Sequence, residues 1–363
     1  MPYERDSILR MAGYTPGEQP DNPRAIKLNT NENPYPPPEP VLAALKAISS
    51  ERLRRYPPPT SSALREAIAA LHAVGASNVV TTNGGDELLR LAITTFVDPG
   101  KPIGIADPSY SLYPVLAGVN GSPVVRAPMD EAWQLPADFA TCMNRAGVKL
   151  TFLVNPHAPS GTLLDAAAIA ALAQALDGVL LVDEAYVDFV DPARNHDAVS
   201  LTHEQDNLLI LRSFSKGYSL AGLRLGYGIG ARGLIEPIAT KTRDSYSVDA
   251  IAEQLGLAAL AHREHAAQTW DAVRGERTRL ATTLHGLGLE CAPSESNFLL
   301  ARVPDTLGGG ARALYEALKA RAIFVRHFDQ PRLHDRLRIT VGTPPENEAL
   351  LDALYELCVR GQN

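Results

Sequence analysis

The chain has 363 residues, of which 45% are hydrophobic and 21% charged, and a formal net charge of −7. That length exceeds the usual single domain, so two domains are expected of an otherwise ordinary soluble composition, and the acidic balance argues against a nucleic-acid or acidic-membrane surface. Cys142, Cys291 and Cys358 are odd in number and far apart; they give neither a disulfide framework nor a metal-ligand spacing, and fit a reducing cytoplasm.

In chain order, Met1-Pro2-Tyr3-Glu4-Arg5-Asp6 carries no basic region followed by an apolar run, so no signal peptide is expected. No apolar stretch in the sequence approaches the roughly 18 residues a membrane helix requires. The first 40 residues are rich in Pro and Asn and close on Leu28-Asn29-Thr30-Asn31-Glu32-Asn33-Pro34-Tyr35, which reads as an extended arm because each Pro biases its predecessor away from helix. A helix is expected over 39–50, with the basic cluster Arg52-Arg54-Arg55 as a solvated helix end. Ser61 or Ser62 caps the next helix, which carries Leu64 and Ile68. From about 77 to 230, short apolar runs (79–81, 103–105, 150–154, 179–182, 208–211 and 225–229) alternate with helical patterns such as 86–97 and 165–176. The alternation indicates βα units and a mainly parallel, buried sheet, an α/β fold whose ligands lie outside the carboxyl ends of the strands. Asn83, Asp107, Asn155, Asp183 and Ser213 each follow one of these runs. A long helical stretch is expected over 245–285. Beyond it come a strand at 297–300, a turn at Gly308-Gly309-Gly310, a helix at 311–321, strands near 323–326 and 337–341, and a terminal helix over 345–359, together a smaller α+β domain. The expected boundaries are 1–50 for an arm packed on the small domain, 51–260 for the large domain and 261–363 for the small one.

The chemistry concentrates at Ser213-Phe214-Ser215-Lys216 and Arg224, with Asp183-Glu184-Ala185-Tyr186 closing an upstream apolar run. A lysine among hydroxyls with a trailing arginine suits a phosphorylated aldehyde: the amine forms a Schiff base while the hydroxyls and guanidinium hold the phosphate. A strand-end Asp is the partner that a pyridinium nitrogen needs. Pyridoxal 5′-phosphate makes both demands. Asn83-Gly84-Gly85-Asp86 joins a strand to a helix and offers backbone N–H groups to an anion. Tyr110 follows another strand, where an aromatic ring can stack on a flat heterocycle. Two other patterns read as coincidences. Gly226-Tyr227-Gly228-Ile229-Gly230-Ala231 matches a dinucleotide fingerprint but lies within an apolar run instead of leaving it for a helix. His262 and His265 form no metal pair, because no third ligand is near in sequence, and no metal site is expected.

These residues resemble the fold-type-I pyridoxal-phosphate enzymes of the class-II aminotransferase group, and most closely the histidinol-phosphate aminotransferase family. The likeness rests on Asp183 to Tyr186, Ser213 to Lys216, Gly13-Tyr14-Thr15-Pro16-Gly17-Glu18, Leu28 to Tyr35, Arg55-Tyr56-Pro57, Gly85 to Leu89, Ala221 to Gly226 and Leu337 to Thr343. It implies that Lys216 is the Schiff-base lysine and proton shuttle. By the same resemblance Asp183 pairs with the pyridinium, Tyr186 bonds the 3′ oxygen, and Tyr110 stacks on the ring. Gly85, Asp86, Ser213, Ser215 and Arg224 hold the phosphate. Tyr56 reaches the cofactor of a second subunit in a homodimer with shared sites, and Tyr14, Asn33, Arg326 and Arg338 receive the substrate. The implied activity is amino transfer between histidinol phosphate and 2-oxoglutarate in histidine biosynthesis. Alternatives on the same scaffold are an aromatic aminotransferase, a threonine-phosphate decarboxylase or, from another class, a non-catalytic regulatory module. One position departs from the family. Its usual Asn-Pro-Thr-Gly, whose Asn supports the 3′ oxygen, is replaced within Asn155-Pro156-His157-Ala158-Pro159-Ser160-Gly161, with Ala158 at the Asn and Asn155 as a candidate substitute.

Overall fold

The computed structural model describes residues 3–358; Met1, Pro2 and 359–363, including the last position of the expected terminal helix, lie outside it. A seven-stranded sheet forms the centre, in the order Val79–Thr82, Gly226–Gly230, Leu208–Ser213, Val179–Asp183, Leu150–Val154, Ile103–Asp107, Val124–Pro128. Only Gly226–Gly230 runs antiparallel to its neighbours. Successive side chains of one strand enter different cores, as the period of two requires. Leu180, Val182, Leu208 and Ile210 pack in one hydrophobic cluster with Leu64, Ile68, Phe139 and Ile169 from helices. Leu181, Leu209, Leu211 and Phe152 pack in another, with Leu88, Leu91, Tyr113 and Ala117. Burial on both faces explains why these strands read as unbroken apolar runs.

The second body is a four-stranded antiparallel sheet (Arg326–His327, Arg336–Thr340, Phe298–Arg302, Glu290–Cys291) with the helices Gly310–Ala320 and Pro344–Cys358. Their cores share a third cluster around Leu299, Leu314, Ile339 and Leu350. The arm strand Ile26–Lys27 pairs in parallel with Ile323–Phe324, which ties the start of the chain to this body.

Several elements differ from the sequence expectation, each for a local reason. The 39–50 helix is two, Glu39–Lys46 and Ser50–Leu53, because the Ser49 hydroxyl accepts the Arg52 N–H at 3.2 Å and starts a new turn. Ser61 precedes the helix Ser62–Leu71 in a left-handed conformation (φ 46°) and makes no side-chain cap. The long 245–285 stretch breaks at His262 into Ala250–Ala261 and Arg263–Gly286. The edge strand Val124–Pro128 and the helices Leu112–Asn120 and Phe139–Arg145 were not singled out; an edge strand is buried on fewer sides and carries a weaker apolar signal. Gly226–Gly230 is a fully buried strand, so its glycines form no turn around a dinucleotide.

Candidate active site

The carboxyl ends of the parallel strands open on a cavity of about 440 Å³, which also touches the arm and the smaller sheet. Its lining includes Lys216, Asp183, Tyr186, Tyr110, Gly85, Asp86, Ser213, Ser215, Arg224, Tyr14, Arg326 and Arg338. These twelve sequence-expected positions span more than 300 residues of chain and meet in one place.

One end of the cavity is built for an anion. The helix Gly85–Phe96 has no side-chain cap; its N-cap, Gly84, sits at φ 79°, where a Cβ would come within 2.7 Å of the Arg224 guanidinium. Its first backbone N–H groups and its dipole therefore face the cavity end where Arg224 lies. Gly226 permits the close approach behind it, since a Cβ there would lie 2.7 Å from the Gly84 carbonyl carbon. Arg224 donates to Asp86 Oδ2 at 3.1 Å and to the Ser215 hydroxyl at 3.4 Å, and the Ser215 N–H donates to Ser213 Oγ at 3.0 Å. The Asp86 carboxylate thus orients Arg224, leaving its backbone N–H as the group suited to an anion.

Deeper in, Asp183 is 5% exposed and ends its strand. Tyr113 donates to Oδ2 at 2.8 Å and the Ala185 N–H to Oδ1 at 3.1 Å, which fixes the carboxylate plane. Burial raises its pKa to about 6, although both hydrogen bonds pull the other way. Lys216 Nζ donates to the Thr30 carbonyl at 2.8 Å and lies 5.9 Å from the centre of the Tyr186 ring. Desolvation, reinforced by the charge of Arg338, lowers its pKa to about 8. Tyr186 accepts a hydrogen bond from Asn31 Nδ2 at 3.0 Å. Tyr110 sets its ring edge-on to Tyr14, with centroids 5.9 Å apart, and to Tyr113 at 5.4 Å.

The outer wall carries two guanidinium groups. Arg338 is half-buried and donates to the Asn29 carbonyl at 2.9 Å, while its Nε has no partner. Burial lowers its pKa. Arg326 donates to the Pro16 carbonyl at 3.3 Å, and both arginines lie over Phe328, at 5.4 and 5.5 Å.

Three expected residues lie elsewhere. Asn155 does not line the cavity, because its amide is spent on Leu164: Oδ1 accepts the Leu164 N–H at 2.8 Å and Nδ2 donates to its carbonyl at 3.0 Å. Asn33 braces the turn after the lysine, donating to the Gly217 carbonyl at 3.2 Å and to Thr269 Oγ1 at 3.0 Å. Tyr56 is 80% exposed and stacks on Tyr246 with ring centroids 4.4 Å apart, outside this cavity. Conversely, Tyr113, Asn31 and Thr30 went unassigned. Tyr113 stands three residues after Tyr110 on a helical register, a signal open to reading; Asn31 meets Tyr186 only through folding.

Fold and cavity together define a fold-type-I pyridoxal-phosphate-dependent transferase. The chain belongs to the aminotransferase class I and II family, whose pattern matches residues 23–354. It is 41% identical to the histidinol-phosphate aminotransferase of Microcystis aeruginosa over 353 residues, covering 97% of this chain and 98% of that one. It is also 41% identical to the enzyme of that name from Gluconacetobacter diazotrophicus over 357 residues, 97% of each chain. The crystal structure of histidinol-phosphate aminotransferase from Sinorhizobium meliloti in complex with pyridoxal-5′-phosphate superposes with a TM-score of 0.88 at 24% identity, covering 100% of this chain and 99% of that one, a likeness of fold. The side chains present here fit such a group. An uncapped helix terminus and Arg224 suit its phosphate, a buried carboxylate suits its ring nitrogen, and a lysine held near neutrality suits its aldehyde.

Proposed function

We propose that this chain is a pyridoxal-phosphate-dependent aminotransferase that exchanges an amino group between histidinol phosphate and 2-oxoglutarate. The observation that carries the reading is the convergence of Lys216, Asp183, Arg224 and Arg338 on one cavity in a chain with relatives of that activity.

Bound at Lys216, the cofactor supplies a conjugated ring that accepts the electron pair left when a proton leaves the substrate Cα. The chain's residues do the rest. Arg224, Ser213, Ser215 and the N–H groups of Gly85 and Asp86 bind the phosphate. The Asp183 carboxylate, oriented by Tyr113 and Ala185, holds a proton on the ring nitrogen. Tyr186 donates to the 3′ oxygen and Tyr110 covers the ring. Lys216, with its pKa near 8, is basic enough to take the Cα proton and acidic enough to return it. Arg338 and Arg326 receive the glutamate carboxylate and the phosphate of histidinol phosphate in turn, since planar guanidinium forks match both anions.

The active assembly in this reading is a homodimer in which Tyr56 serves the partner's cavity. Support comes from the exposed Tyr56–Tyr246 stack and from Leu53, 59% exposed beside it in sequence. The division at 1–50, 51–260 and 261–363 is supported by the change of sheet and by the break at His262. A cytoplasmic location accords with three free cysteines.

The test is a substrate panel with 2-oxoglutarate as acceptor, combined with borohydride fixation of the cofactor and peptide mapping. Histidinol phosphate is expected to be the best donor, with the label on Lys216. Preference for phenylalanine, CO₂ release from threonine phosphate, or fixation on another residue would each refute the assignment. Sedimentation at micromolar concentration is expected to give a dimer.

A further inference from the structure

Ala158 leaves a gap in the donor set around the cofactor's 3′ oxygen. It lines the cavity, and its methyl side chain offers no hydrogen-bond donor. The two nearby polar side chains cannot turn in to replace it. Asn155 is locked on Leu164 through both ends of its amide. His157 is buried with both ring nitrogens engaged, Nδ1 with Ser160 Oγ at 2.7 Å and Nε2 with the Pro108 carbonyl at 3.0 Å. Tyr186 is left to act alone, and the direction of its hydroxyl proton becomes decisive.

That direction is set by a chain of three side chains from three parts of the fold. Thr340, at the end of a strand in the smaller sheet, accepts the Asn31 N–H at 3.0 Å and donates its hydroxyl to Asn31 Oδ1, also at 3.0 Å. With its oxygen so engaged, the Asn31 amide presents Nδ2 to the Tyr186 oxygen at 3.0 Å. A phenol oxygen that accepts one hydrogen bond from the arm points its own O–H elsewhere, and the cavity is what it faces. Accepting that bond also makes the phenol a stronger donor, since hydrogen bonds in series polarise one another. Asn31 itself is held at φ 58°, a left-handed conformation that the Asn297 amide helps to fix by donating to the Asn31 carbonyl at 3.0 Å.

We infer that Asn31 is a positioning residue of the reaction, which aims and strengthens the Tyr186 hydroxyl where Ala158 leaves the site without a donor, with Thr340 holding the amide in that orientation. The inference rests on the cofactor assignment made above. It predicts that the smaller sheet, through Thr340, tunes the cofactor without touching it.

The test is the pH midpoint of the visible absorbance of the wild-type and variant holoenzymes without substrate, which reports the proton on the nitrogen linking Lys216 to the cofactor. Donation to the 3′ oxygen weakens its hold on that proton, so losing donation raises the midpoint. Asn31→Gly removes the amide and tolerates the left-handed backbone. It is expected to raise the midpoint by about half to one pH unit, the scale of one net hydrogen bond. Thr340→Val, nearly isosteric, is expected to shift it in the same direction by less, and serves alone if Asn31→Gly does not fold. In a Tyr186→Phe background the Asn31 change is expected to add nothing, as an effect exerted through Tyr186 requires. The charged and titratable groups facing Tyr186, namely Arg338, Asp183, Tyr14, Tyr110, Tyr113 and Lys216, remain in every variant. An unmoved midpoint in Asn31→Gly, or an equal shift with and without the Tyr186 hydroxyl, overturns the role of Asn31 while leaving the cofactor assignment intact. A wild-type protein with no visible band and no borohydride-fixed label at Lys216 overturns both.

Discussion

Burying a lysine that must lose its proton has a cost that stability measurements can read directly. In cofactor-stripped protein, Lys216 has a folded-state pKa of about 8 against 10.5 for the free side chain. The unfolded chain therefore binds more protons than the folded one between those values, and stability rises with pH across that window. Below pH 8 both states are protonated and the folded state carries the full cost of the buried charge. The gap corresponds to roughly 3 kcal/mol. Lys216→Met keeps the length of the side chain and removes the charge, together with a hydrogen bond to the Thr30 carbonyl worth about 1 kcal/mol. At pH 7 the Met variant is expected to be the more stable by about 2 kcal/mol. As pH rises from 8 to 10.5 this advantage disappears and reverses slightly. Urea unfolding of both proteins at half-unit pH steps checks this, because the other titrating groups cancel in the difference. A difference that stays flat from pH 7 to 10.5, or a wild type that is the more stable at pH 7, would refute the account of Lys216.

Three further outcomes are expected. Asp183→Asn keeps the hydrogen bond from Tyr113 but loses the charge that retains a proton on the ring nitrogen, so kcat should fall by about 10³-fold or more with the fold retained; near-normal turnover would remove Asp183 from that role. Arg338→Ala should raise KM for both glutamate and histidinol phosphate, with kcat/KM down by about 30-fold or more, since a buried charged contact is worth about 2 kcal/mol or more; an unchanged KM for both would refute it. Arg212→Ala strands the Glu184 carboxylate, whose side chain is wholly buried and accepts from Arg212 at 2.6 Å, and should destabilise the fold by about 3–5 kcal/mol in urea; a loss under about 1 kcal/mol would show that the pair is not structural.

The sequence by itself determined six of the seven strands of the central sheet and the candidate reacting groups at its edge. The runs 150–154, 179–182 and 208–211 read as strands buried on both faces, because no charged residue interrupts them, and a βα alternation then sends Asp183 and Ser213 to one edge. Lys216 and Arg224 were legible because a turn keeps them local to that edge. Only the tertiary structure decided which polar side chains are free to act. Asn155 and Asn33 have the right chemistry, yet their amides are consumed by Leu164 and by Gly217 with Thr269, pairings that no spacing announces. Asn31 and Tyr186 are 155 positions apart and Asn31 and Thr340 309, so their hydrogen-bonded chain exists only once the arm lies between the two sheets. Local pattern records what a residue can do; the partners that satisfy or release its hydrogen-bonding groups are set by long-range packing, where most buried polar atoms find one.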